Sequence, residues 1–109
     1  MRNKAINVLI QMGMPADNKG FNYIVDAMCL FKNSEWRNGK ITLLYEKIAE
    51  MNNTKASRAE RAIRTAFSCV LEKGHLETVE KYLTLQKTTN GNLLHVLYLR
   101  LTQEVENEN

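Results

Sequence analysis

The chain has 109 residues, 44% of them apolar and 25% charged, which suits one folded domain with a single core and excludes a disordered polymer. Fifteen Lys and Arg against twelve Asp and Glu give a net charge of +3, a mild excess that permits an acidic or nucleic-acid partner without requiring one. Two distant cysteines, Cys29 and Cys69, with no Cys/His cluster argue against a metal site and for thiols in a reducing compartment. No stretch reads as a signal peptide or a membrane span, so a cytoplasmic protein with no membrane partner is expected.

Alternating strand patterns are absent, and the chain reads as all-α. Residues 2–12 place Ala5, Ile6, Leu9, Ile10 and Met12 at helical spacing; Gly13 then supplies a left-handed cap and Pro15 blocks continuation. A second helix opens near Asn18 and runs to about Lys32, with Tyr23, Ile24, Ala27, Met28 and Phe31 inward. "NSEWRNG", residues 33–39, reads as a polar connection anchored by Trp36. Trp36 is expected to cap the core, the alternative being contact with a partner.

A third helix is predicted over about Lys40–Met51, with Ile41, Leu44, Tyr45, Ile48 and Met51 on one face. After the polar break "NNT" a fourth covers about Lys55–Glu72 and stops at Gly74. A short fifth spans roughly Leu76–Leu85 and buries Leu76, Val79, Tyr82 and Leu83. "KTTNGN" reads as a loop. The last helix covers about Asn92–Glu104, with Leu94, Leu97, Tyr98 and Leu101 inward and an acidic tail, residues 103–109, expected to fray. That makes six helices. His75 reads as a cation at a helix C-terminus, and His95 as a surface or boundary residue. Neither belongs to a catalytic or metal-binding pattern, there is no phosphate-binding glycine loop, and no enzyme and no cofactor are expected.

The third and fourth predicted helices, about residues 40–73, form a helix-turn-helix candidate. In "KASRAERAIRTAF", Lys55–Phe67, alanines with Ile63 and Phe67 occupy one side, while Ser57, Arg58, Arg61, Arg64 and Thr65 occupy the other. "SRAE" fits a capping box with Ser57 as N-cap; Thr54 is the other candidate cap. Arginines near a helix N-terminus oppose the macrodipole, a local rule broken of the kind expected at functional sites. Arginine reads guanine O6 and N7, and glutamate accepts from cytosine N4, so a helix carrying both could read a C·G step. Thr54, Ser57 and Thr65 can donate to DNA phosphates, and Arg64 can pair with one. The competing reading of the same spacing is a solvated face on which Glu60 pairs with Arg64 at i, i+4.

"GMPADNKGFNYIVDAM", Gly13–Met28, followed by "KITLLYEKIAEMNNTKASRAERAIRTAF", Lys40–Phe67, resembles the C-terminal DNA-binding domain of the stage-zero sporulation response regulator over nearly the whole chain. The resemblance implies a compact six-helix transcription-factor domain that binds a box with a central C-G step in double-stranded DNA. It places Arg58, Glu60 and Arg61 at base-reading positions, and Ser57, Arg64 and residues flanking them, Lys55 among these, at backbone-contacting ones. Thr65 departs from the histidine often found there. It also implies a homodimer on tandem sites through the last helices, and makes a receiver domain or RNA polymerase the partner that Trp36 could contact. With Met1 a dozen residues before Gly13, no receiver domain is expected in this chain; it is either an excised domain or a free-standing relative. The alternative function is an interaction module of the same fold, a decoy or partner of a full-length regulator.

Overall fold

The computed structural model describes residues 1–108, with side chains described through Gln103. It contains seven α-helices: α1 Arg2–Met12, α2 Lys19–Leu30, α3 Ser34–Asn38, α4 Ile41–Met51, α5 Ala56–Lys73, α6 Leu76–Tyr82 and α7 Asn90–Glu108. The expected all-α class is correct and the expected count of six is not. The additional helix, α3, lies in the stretch read as a polar connection. The Asn33 side chain accepts from the Glu35 N–H at 2.9 Å, and Glu35 in the first turn and Arg37 in the last complement the helix dipole. Five residues are too few to show a periodic apolar stripe, which is why the pattern concealed it.

α2 is the central helix and packs against α1, α4, α5 and α7. Its Asn18 cap accepts from the Gly20 N–H at 2.9 Å, and from Gly20 to Met28 every side chain except Asn22 is buried. α1 ends in a left-handed Gly13 at φ 91°, with the Met14 N–H returning to the Leu9 carbonyl, a Schellman motif. Ile10, expected inward, is exposed, whereas Val8 is buried.

Two close backbone approaches set how the helices meet. A Cβ on Gly20 would lie 2.1 Å from the Ala62 carbonyl oxygen, so α2 and α5 touch at a point where any side chain would intrude. The alanines of α5 thus serve α2 as well as α4. Gly74 does not stop α5 through a left-handed turn; its φ is −73°. It is needed because a Cβ there would meet the Val70 and Met12 carbonyl oxygens at 2.4 and 2.8 Å.

His75 follows as the N-cap position of α6 rather than a C-terminal cation: its N–H donates to the Met12 carbonyl, and its ring meets the Thr78 hydroxyl at 3.1 Å. Leu76, expected in the core, stands in the first turn of α6 and is largely exposed, while Val79, Tyr82 and Leu83 are buried. α7 begins two residues earlier than expected because the Thr89 carbonyl and hydroxyl receive the Leu93 and Asn92 N–H groups. It is helical to Glu108, past the expected end; the tail side chains from Glu104 lie outside the described residues. Leu93, Leu94, Leu97 and Leu101 give it a fully buried stripe. Trp36 is half-buried against the core, consistent with the capping reading.

Candidate nucleic-acid interface

α4 and α5 are joined by residues 52–55. Asn53 turns the chain in a left-handed conformation at φ 52°, which Asn tolerates better than most residues, and the Thr54 N–H returns to the Ala49 carbonyl at 3.0 Å. This turn fixes where α5 begins. Its N-cap is Lys55, whose carbonyl receives the Arg58 and Ala59 N–H groups, and no side chain caps it. The expected capping box is therefore not formed. Ser57 lies inside the first turn, exposed, and Thr54 lies half-buried in the connection. α5 starts with no side-chain cap, no acid in its first turn and Arg58 at its third position. Each omission forgoes stability that a sequence chosen only for helix formation would take.

The buried face of α5 is Ala59, Ile63, Ala66, Phe67 and Val70. Ser57, Arg58, Arg61, Arg64, Thr65 and Ser68 are exposed. Arg58 and Arg61 make no side-chain hydrogen bond or ion pair among the described residues. Arg64 differs: its Nη1 lies 3.1 Å from Glu60 Oε1, the i, i+4 pair. The guanidinium side chain is 58% exposed and the carboxylate side chain 33%, so the pair is worth only about 0.2–0.5 kcal/mol before salt screens it. Its effect is geometric. One carboxylate oxygen of Glu60 is engaged, and the other stays available as an acceptor.

The site has a buried side that the pattern did not reveal. Asn90, at the start of α7, is only 9% exposed, and its Nδ2 donates to the Glu60 carbonyl at 3.0 Å. The phenol of Tyr45 on α4 lines the same recess as Asn90, Glu60 and Arg64. Burial pushes the Tyr45 phenol above the usual tyrosine value, partly offset by the neighbouring Asn90 amide. A second network holds the turn. Asp26, buried on α2, accepts from Asn52 Nδ2 at 2.9 Å and from Arg2 Nη2 at 3.2 Å, and Asn52 also donates to the Ile48 carbonyl. Asn90 was hidden in a stretch read as loop, and Asp26 in an apolar helix; a lone polar residue in such a run is the only signal either leaves.

Elsewhere, His95 is a tether between helices. Its ring nitrogens lie 2.8 Å from the Gly91 and Arg37 carbonyl oxygens, and its ring stacks on Phe31 at 4.8 Å. No group of His, Cys, Asp and Glu among the described residues could hold a metal ion, and no helix there is long and apolar enough to cross a membrane.

Residues 5–101 match the family described as Sporulation initiation factor Spo0A C terminal. The chain belongs to that family. Its members are effector domains of sporulation response regulators and are not catalytic. The match covers every helix that builds the α4–α5 face, including the start of α7 that carries Asn90. Membership gives this chain the character of a transcription-regulator effector domain.

Proposed function

We propose that this Spo0A C-terminal-type domain, occupying the whole chain, binds double-stranded DNA sequence-specifically. α4 and α5 act as a helix-turn-helix over about residues 40–73, and α5 is the recognition helix. The observation that carries this reading is the state of the three arginines: Arg64 is paired with Glu60, while among the described residues Arg58, in the uncapped first turn of α5, and Arg61, one turn on, stand exposed and unpaired. Unpaired guanidiniums at the positive end of a helix cost stability, and contact with a base edge or phosphate offsets that cost.

In this reading Arg58 and Arg61 read guanine O6 and N7 in the major groove, and the free carboxylate oxygen of Glu60 accepts from cytosine N4. Lys55, Ser57, Thr65 and the turn residue Thr54 contact phosphates, and Arg64 both orients Glu60 and faces the backbone. Two copies on tandem sites would meet through their last helices.

The test is a mobility-shift titration against a duplex with a central C-G step and against a scrambled duplex, at several salt concentrations. Arg61→Ala should lose about 1–3 kcal/mol of discrimination, one bidentate base contact. Equal affinity for both duplexes, or an Arg61→Ala variant as discriminating as the parent, would sink the proposal. Retention by a full-length regulator of the family without retention on DNA would make the chain an interaction module instead.

A further inference from the structure

Asn90 lies 30 residues from Glu60 in sequence and is only 9% exposed. Along with Asp26 it is one of two buried polar or charged residues among those described. A buried amide costs free energy unless its hydrogen bonds are made, so its partners indicate what it is for. One partner is the backbone carbonyl of Glu60. In a continuous helix that carbonyl already accepts from the N–H four residues on, and its second lone pair takes the Asn90 donor. The Tyr45 phenol of α4, 8% exposed, lines the same recess.

One side chain therefore ties α7 to α5, and on α5 it grips the backbone of a residue whose side chain faces the proposed DNA surface. A side-chain contact lets a helix rotate by changing rotamer. A bond to a main-chain carbonyl does not, because the carbonyl moves only with the helix. Gly20 fixes the opposite flank of α5 at Ala62 and Ala66, which blocks approach but exerts no pull. Asn90 supplies the pull. The Glu60–Arg64 pair then orients the carboxylate on a backbone already held.

The geometry points to Asn90 as a positioning residue for base recognition: by bonding the Glu60 carbonyl it sets the rotation of α5 about its own axis, and with it where Arg58, Glu60 and Arg61 meet the bases. The inference rests on the DNA-binding reading above. Recognition groups need placement within about 0.5 Å, so a loosened helix loses discrimination before it loses attraction. Phosphate attraction depends on charge and tolerates small rotations.

The experiment titrates the full chain, Asn90→Ala, Asn90→Ser and Tyr45→Phe against the C-G duplex and the scrambled duplex, with thermal unfolding of each variant alongside. For Asn90→Ala the affinity ratio between the duplexes should fall roughly tenfold, within the range one bidentate base contact provides. Scrambled-duplex affinity and the salt slope should stay within about twofold of the parent, because no phosphate contact is removed. Tyr45→Phe, which keeps the ring and the Asn90–Glu60 bond, should lower the ratio less. Asn90→Ser provides the same reading should the alanine variant fail to fold. A folded Asn90 variant with the parent's ratio would overturn the positioning role while leaving DNA binding intact, as would equal losses on both duplexes. A parent that does not discriminate would overturn both.

Discussion

Replacing Gly20 by alanine probes the contact that seats the proposed recognition helix. The new Cβ would sit 2.1 Å from the Ala62 carbonyl oxygen, 2.8 Å from the Ala62 carbonyl carbon and 2.8 Å from the Ala66 Cβ. Two of those three atoms are backbone, so no rotamer change relieves the overlap, and α2 and α5 must separate by about 1 Å to restore van der Waals distance. Overpacking of this kind costs about 1–3 kcal/mol, and separation also loosens neighbours such as Ile63, Ile24 and Phe67, all fully buried. Against it stands the helix-propensity gain of Gly to Ala, at most about 1 kcal/mol and less in a first turn. The balance is a loss of about 1–2 kcal/mol. In a domain of this size that lowers the melting temperature by roughly 4–16 °C.

Gly91→Ala is the matched control, because its Cβ would meet only the flexible end of Ile41 at 3.1 Å. It should be neutral or stabilising by up to about 1 kcal/mol. Urea unfolding followed by circular dichroism measures both. A Gly20→Ala variant as stable as the parent, or as stable as Gly91→Ala, would refute the argument that this close approach determines how α5 is seated.

The buried phenol of Tyr45 gives a pH prediction. Its value is raised above 10.0 in the folded state, so the unfolded chain releases that proton first as pH rises. The associated stability is fully present below the unfolded value, about pH 10, and is lost as pH climbs through the folded value. Tyr45→Phe should flatten this alkaline loss in urea titrations between pH 8 and 11; an unchanged slope would contradict it. At the turn, Asp26→Ala removes the acceptor of the Asn52 and Arg2 bonds and should cost about 1–3 kcal/mol, whereas Asp26→Asn, which keeps one carbonyl acceptor, should cost less. Equal losses in urea unfolding would show that acceptance by Asp26 does not hold the turn.

Much of this architecture was legible in the residues. Asn18 and Gly13 announced the start of α2 and the end of α1 because each satisfies orphan backbone groups within a few residues of itself. The long helices α4 and α5 were visible for the same reason: eleven and eighteen residues are enough for an apolar face to repeat. Ser57 shows where local reading fails. "SRAE" is a valid capping signature, yet the turn at Asn53, braced by the Thr54 N–H and by Asn52 on Asp26, starts α5 earlier and places Ser57 inside it. Arg58, Arg61 and Thr65 lie on the exposed face expected of them, whereas Thr54 is half-buried and Glu60 and Arg64 are paired.

The sequence by itself determined that the longer segments become helices, though not the five-residue α3, that α5 carries arginine on one side and alanine on the other, and the family to which the chain belongs. Those properties depend on neighbours within one or two helical turns. Tertiary structure decided how far α2 approaches α5 at Gly20, where α5 begins, and which distant residue holds it. The Asn90 amide meets the Glu60 carbonyl across 30 positions. Such a bond has no spacing rule, because it depends on where two helices are brought by the burial of their apolar faces.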